Sequence, residues 1–354
     1  MTHVARPPVP AVAGLRLPVL VGALALAAGA AVLGLTVGPT SISPAGALRE
    51  VASHLPFSPV DSTLAPGQAA IVWEIRAPRV VLASLVGGIL ALAGGAYQGV
   101  FRNPLADPYL LGVAAGAGLG ATLAISTGAS AGRGAVETVV LAAFAGALAA
   151  VALTYALGAT GERRRSPASL LLAGVAVASL LTAVQTFVQQ RENELIREVY
   201  SWILGRLTTA SWSDVTLLLP YAVVTAAALL VLRRPLDVLS VGDVEATTLG
   251  LRVDRVRLGV VLAASLGTAA AVSVSGLIGF VGIIVPHTVR LLGGTSYRVI
   301  LPVSLLLGAA FLTVADVLAR TALAPAEVPI GVVTALVGAP FFALVLRTRR
   351  LVPT

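Results

Sequence analysis

The feature that most restricts this chain is a series of long apolar runs from which ionisable residues are almost absent. They fall at roughly 17–38, 79–100, 108–128, 135–157, 168–189, 214–232, 256–274, 279–293, 299–319 and 330–346. A hydrocarbon core about 30 Å thick is crossed by about 20 apolar residues in a helix, so the runs are read as about ten spans. A soluble domain offers nowhere to hide this much apolar surface. Hydrophobic residues make up 57% of the chain and charged ones 11%, against about 25% charged in soluble proteins. The fold class expected is an all-α polytopic membrane protein, organised as a single transmembrane domain over residues 1–354.

The basic residues set the orientation. All 24 are arginine. With the N-terminus inside, alternating spans place Arg6, Arg16, Arg102, Arg163, Arg164, Arg165, Arg233, Arg234, Arg252, Arg255, Arg257, Arg290, Arg298, Arg347, Arg349 and Arg350 on the cytoplasmic side. The outer side receives Arg49, Arg76, Arg79, Arg133, Arg191, Arg197, Arg206 and Arg320. The excess lies inside, as the positive-inside rule requires, so both termini are expected in the cytoplasm. The run from Leu17 to Val37 is longer than the about 7–15 residues of a signal-peptide core, and is read as a span. Trp73, Trp202 and Trp212 border the outer loops, where an aromatic belt would sit.

Several chemistries are excluded. A chain without lysine has no Walker-A lysine, Schiff-base lysine or Ser–Lys dyad, and one without cysteine has no thiolate ligand or thiol nucleophile. Only His3, His54 and His287 are present, and none is spaced for metal binding. Asp107 and Glu162 lie in Pro- and Arg-rich inner connections, where solvated loop charges are expected rather than an acid–base pair. The polar residues of the spans are Gln98, Gln185, Gln189, Asp316 and His287, which leaves the midplane almost neutral. That argues against an ion-coupled secondary transporter, the alternative from another class, because ion pathways are marked by intramembrane ionisable groups.

Gly112, Gly116 and Gly120 form two overlapping G-x-x-x-G steps in the third span, a pattern for close helix packing. Two inner loops stand out. In Phe101-Arg102-Asn103-Pro104-Leu105-Ala106-Asp107-Pro108 the prolines forbid a helix interior, and Asn103 and Asp107 suit Asx turns, so a rigid corner is expected. From Arg233 to Arg257 the sequence predicts a short cytoplasmic helix. Ser240 would cap it, Asp243 and Glu245 fall in its first turn, and Gly250 stops it. Such an element is suited to a groove on a soluble partner.

Several segments resemble one family. Arg76-Ala77-Pro78-Arg79, Gly94-Gly95-Ala96-Tyr97-Gln98-Gly99 and Asn103-Pro104-Leu105-Ala106-Asp107-Pro108 are similar to the FecCD-type permeases of binding-protein-dependent ABC importers. So are Gly276 to His287 with its Pro286-His287 step, Ala315-Asp316, and Pro329-Ile330-Gly331-Val332-Val333-Thr334-Ala335. The matches run in family order from about residue 70 to the C-terminus.

The resemblance implies the ABC importer type II permease fold, with inverted repeats relating helices two to five and seven to ten. It implies a homodimer in the cytoplasmic (inner) membrane, two cytoplasmic ABC ATPase subunits and an extracytoplasmic substrate-binding protein. No cofactor would belong to this chain, ATP and Mg being held by the ATPase, and nucleic acid is not a partner. The cargo would be an iron complex (ferric siderophore or haem), with cobalamin as the alternative. By resemblance, Arg76, Arg79 and Arg320 are docking points for carboxylates of the binding protein. Gly242, Asp243, Glu245, Ala246, Leu249 and Gly250 belong to the segment seated on the ATPase, within about 236–254. Gln185 and Gln189 become candidate pathway-lining residues. Asn103, Pro104, Asp107, Pro286 and His287 carry structural motifs, with no mechanistic role for His287.

Overall fold

The computed structural model describes residues 17–128, 135–158, 167–191, 196–205 and 207–349. Arg6, Arg16, Arg133, Glu162, Arg163, Arg164, Arg165, Arg206 and Arg350 lie outside them. The ten expected spans correspond to α1 (Leu17–Thr36), α4 (Ala77–Val100), α5 (Val113–Ser126), α6 (Ala135–Gly158), α7 (Pro167–Arg191), α9 (Trp212–Val231), α12 (Val253–Ser275), α13 (Val281–Gly293), α14 (Tyr297–Thr321) and α15 (Ile330–Arg349). Between them lie the shorter α2 (Pro44–Ser53), α3 (Pro66–Ala70), α8 (Ile196–Ile203), α10 (Arg233–Leu239) and α11 (Asp243–Thr248). Seven of these helices, α4 being counted with the helical stretch before it, are long and apolar enough to cross a membrane; α5, α13 and α15 offer shorter apolar stretches.

Two boundaries depart from expectation. The second span begins early: Pro66 starts α3, and a π-helical stretch, Ile71–Arg76, carries it without a break into α4. The third begins late, because Gly112 adopts a left-handed conformation (φ 81°) just ahead of α5. Gly112 is therefore a hinge that glycine alone tolerates cheaply, not the first member of a packing stripe. Gly116 does pack as expected: a methyl added there would lie 2.2 Å from the Gly146 carbonyl of α6.

α4 is the central element, packed on α9, α12, α13 and α14. Most of it is buried within the protein (83% of its most apolar window), whereas 17% of the corresponding part of α7 is covered. Backbone contact replaces side-chain packing around it. Gly87 of α4 and Gly308 of α14 face each other so closely that a methyl on either would lie 2.3 Å from the other's carbonyl oxygen. In lipid such close approach is what holds helices together.

Contacts repeat in two sets. Exchanging α4, α5, α6 and α7 for α12, α13, α14 and α15 turns the pair α4/α14 into α12/α6, α5/α6 into α13/α14, and α5/α7 into α13/α15. It likewise turns α6/α7 into α14/α15 and α4/α13 into α12/α5, and all of these pairs are in contact. Counterparts are separated by five crossings, an odd number, so they run in opposite directions. This is the arrangement of inverted repeats.

Candidate functional site

At the end of α4 expected to face outward, the arginines expected to be docking forks are turned into the protein. Arg76 is 3% exposed and donates to the carbonyls of Leu35 and Thr36, which the end of α1 leaves without helical partners, and to that of Thr40 in the loop beyond. Arg79 is 6% exposed; its Nε donates to Asp316 at 2.9 Å, and its two terminal nitrogens to Glu327 at 3.0 and 2.8 Å. Arg320 is also 6% exposed, donating to the Gly34 carbonyl with its Nε 3.7 Å from Asp316. The physical reason is local: charges buried at helix ends need partners at once, and main-chain carbonyls with two acids supply them. Exposed forks waiting for a partner's carboxylates are not what the chain presents.

Arg79, Asp316 and Glu327 line a partly open cavity of about 190 Å³ together with Thr208, Val328 and Pro329. Glu327, in the loop after α14, is the more open acid; its side chain is 32% exposed, against 1% for Asp316. The Arg79 hydrogen bonds hold its carboxyl below the usual carboxylate range. The same face also carries a ring stack in which the ring of His54 lies 3.8 Å from that of Trp73, and Trp73 4.7 Å from Trp212. Trp202 does not join that belt. It is 3% exposed and belongs to the core.

Three motifs distant in sequence meet along α4. Gln98 Nε2 donates to the Gly282 carbonyl at 3.1 Å, and the Tyr97 hydroxyl lies 2.6 Å from Ser265 Oγ. Tyr109 clasps the non-helical stretch between α12 and α13: its hydroxyl donates to the Ile278 carbonyl at 2.9 Å and accepts from the Ile278 amide at 3.0 Å. Irregular backbone in an apolar protein must find its partners inside the protein, and Tyr109 supplies both. Asn103 accepts from the Leu105 amide at 3.0 Å, and Asp107 from the Tyr109 amide at 2.7 Å. These are the Asx turns that make the Pro104–Pro108 corner rigid. Pro286 is buried in α13, and His287, 5% exposed, presents its ring edge-on to Phe341.

On the face expected to be cytoplasmic, the expected single helix is two. Ser240 ends α10 rather than starting a helix, its hydroxyl donating to the Asp237 carbonyl. Gly242 (φ 149°) turns the chain, and α11 follows with Asp243 and Glu245 in its first turn. It stops where the sequence predicts. Gly250 (φ 83°) lets the Leu251 amide reach back to the Ala246 carbonyl at 2.9 Å. Ala246 is buried, while Val241, Val244 and Leu249 are 66%, 73% and 70% exposed.

The two candidate pathway residues part company. Gln185 is buried with its amide against Gly118 of α5. Gln189, one turn on, is half-buried and its Nε2 has no hydrogen-bond partner among the described residues.

Sequence reasoning missed the Arg79–Asp316–Glu327 cluster and the Tyr109 clasp. Glu327 stood in view beside the Pro329 motif, and Tyr109 follows the Asn-Pro corner directly, but neither has a local partner that would mark it.

Comparison with known proteins agrees with this geometry. The chain is 48% identical over 279 residues to the cobalamin import system permease protein BtuC of Halobacterium salinarum, covering 79% of this chain and 74% of that one. It is 41% identical to the hemin transport system permease protein HmuU of Yersinia pestis (78% and 84% covered). The iron(3+)-hydroxamate import system permease protein FhuB of Bacillus subtilis is 37% identical (79% and 72% covered). A solved inward-facing structure of a metal-chelate type ABC transporter superposes with a TM-score of 0.82 at 30% identity, covering 94% of this chain and all of that one. The profile of the FecCD transport family matches residues 24–348, so the likeness begins inside α1 rather than near residue 70. With that match spanning nearly the whole helical array, the chain belongs to the FecCD transport family.

Proposed function

We propose that this protein is the membrane subunit of a binding-protein-dependent ABC importer, working as a homodimer in the cytoplasmic membrane with both termini inside. The observation that carries the reading is the inner segment: Val241, Val244 and Leu249 stand exposed on a rigidly capped turn-and-helix unit backed by buried Ala246. An apolar patch on a polar face is a site for a partner. A chain without lysine also has no Walker-A site of its own, so the partner there is a nucleotide-hydrolysing subunit that supplies ATP and Mg chemistry. The poorly covered face of α7 is where a second copy would pack, while Gln189 continues the helix stripe that carries buried Gln185. The binding protein would dock on the outer face around the Arg79 cluster, with Arg76, Arg79 and Arg320 shaping it from beneath.

The cargo is a large metal chelate. The family resemblance favoured an iron complex, and the hemin and hydroxamate relatives support it. The 48% identity to a cobalamin permease supports a corrinoid as the second reading. Tagged protein solubilised from its native membrane is expected to bring down an ABC ATPase and a second copy of itself. Vesicles reconstituted with that complex and its binding protein should then accumulate either ferric siderophore or haem, or else cyanocobalamin. Recovery of the chain alone would reject the subunit reading, and uptake of none of these chelates would reject the cargo class.

A further inference from the structure

The inner segment and the outer cluster are joined by one element. Asp243, in the first turn of α11, accepts from Arg257 of α12 at 2.9 Å and pairs with Arg102 at 3.3 Å. Arg102 sits just past the last turn of α4, held at φ 48°, a conformation that side chains other than glycine rarely adopt. From there α4 runs unbroken for 24 residues, about 36 Å at about 1.5 Å per residue, with Arg79 in its first turn at the far end. Arg79 grips Asp316 of α14 and, through Glu327, the loop leading to α15. A separate anchor, Asp237 of α10, accepts from the Ser296 hydroxyl and the Tyr297 amide at the start of α14 and pairs with Arg298. The inner segment is thus bonded to both halves of the inverted repeat, and among the described residues its one ionic bond to the first half is Asp243–Arg102.

We infer that α4 is the mechanical link between the cytoplasmic segment and the outer ion-pair cluster, with the Asp243–Arg102 pair as its inner joint. The inference rests on the proposal that an ATPase moves that segment. A buried rod tied at both ends transmits displacement, and at the inner end of α4 the pair adds an ionic tie to the packing of Leu236 on Gly99. Arg257 and Asp237 keep the segment in place when the joint is cut, so the loss falls on transmission and not on folding. Arg102 is the residue to remove: its side chain is 39% exposed, and glycine suits its backbone.

The test uses the complete complex with its co-purified ATPase, in lipid nanodiscs. Because the chain has no cysteine, Thr208→Cys, on the rim of the outer cavity, gives a single reporter whose labelling by a charged maleimide is timed with and without ATP and vanadate. In the otherwise unaltered complex, trapping should change the labelling rate. In Arg102→Gly that change should shrink about fivefold, the lower end of ordinary coupling between sites. Arg102→Lys should restore most of it, and raised salt should weaken the response of the parent but not of Arg102→Gly, as expected of an exposed pair. An Arg102→Gly complex that keeps its ATPase, hydrolyses ATP and shows the full labelling change would overturn the inference, as would a parent complex whose cavity rim does not respond to trapping. Failure of the ATPase to co-purify with the parent would instead reject the proposed function.

Discussion

Replacing Arg79 with alanine is expected to destabilise the protein by about 3–5 kcal/mol, the usual cost of stranding one charge of a buried pair. Asp316, 1% exposed, receives its strongest bonds from Arg79 and has only Arg320, at 3.7 Å, to fall back on. Glu327 would lose both of its arginine bonds and keep the Thr208 hydroxyl, at 3.3 Å. Thermal unfolding of purified protein in detergent measures the loss. The double variant Arg79→Ala with Asp316→Ala should be far less unstable than the two single effects summed, because it removes the stranded charge as well as its partner. Simple additivity would show that the pair is not coupled. The same geometry changes what a charge reversal means. Glutamate at 76, 79 or 320 would set a carboxylate against carbonyl oxygens or against Asp316, so lost capture of a binding protein by such a variant would report misfolding before it reported docking.

The second large effect is expected on the opposite face. Val244→Glu with Leu249→Glu places two charges on the exposed apolar patch, and neither residue supports the fold: both stand more than two-thirds exposed. Folding stability should change little, since exposed substitutions of this kind stay within about 0.5 kcal/mol. Association with the ATPase should fall by at least tenfold, because charges at the centre of an apolar contact are desolvated without partners. Size-exclusion chromatography of the co-expressed subunits would show it. An intact complex at the parent's affinity would place the ATPase contact elsewhere on the inner face.

Much of the fold was legible because each span is a local statement. Some twenty apolar residues with scarcely a charge declare a membrane helix without reference to anything distant, and seven such runs with three shorter apolar ones are ten helices. Boundaries were legible only where chemistry marks them. Gly250 stops α11 as read, but Tyr109, Leu110 and Leu111 are apolar enough to pass for helix while serving as the folded turn before Gly112. The stretch from Pro66 to Arg76 misled in the other direction: its Gln, Glu and Arg look like loop, yet its backbone is helical.

The sites divide the same way. Asx turns at Asn103 and Asp107 span two residues and were readable. The Arg79 cluster joins residues 237 and 248 positions apart, and nothing in the neighbourhood of Arg79 distinguishes a paired guanidinium from an exposed one. The inverted repeat was invisible for a related reason. It is expressed in which helices touch, whereas the sequence of each helix is set mainly by the lipid or the glycine-packed neighbour it faces.

The central claim is that this chain is a gate with no energy source of its own. It is tested most directly by uphill uptake into sealed vesicles that contain either this protein alone or the protein with its ATPase, each supplied with ATP, binding protein and labelled chelate. Accumulation above the bath concentration is expected only with the ATPase present and only while ATP lasts. Uphill accumulation by the lone chain, whether driven by a sodium gradient, a proton gradient or nothing added, would contradict the account.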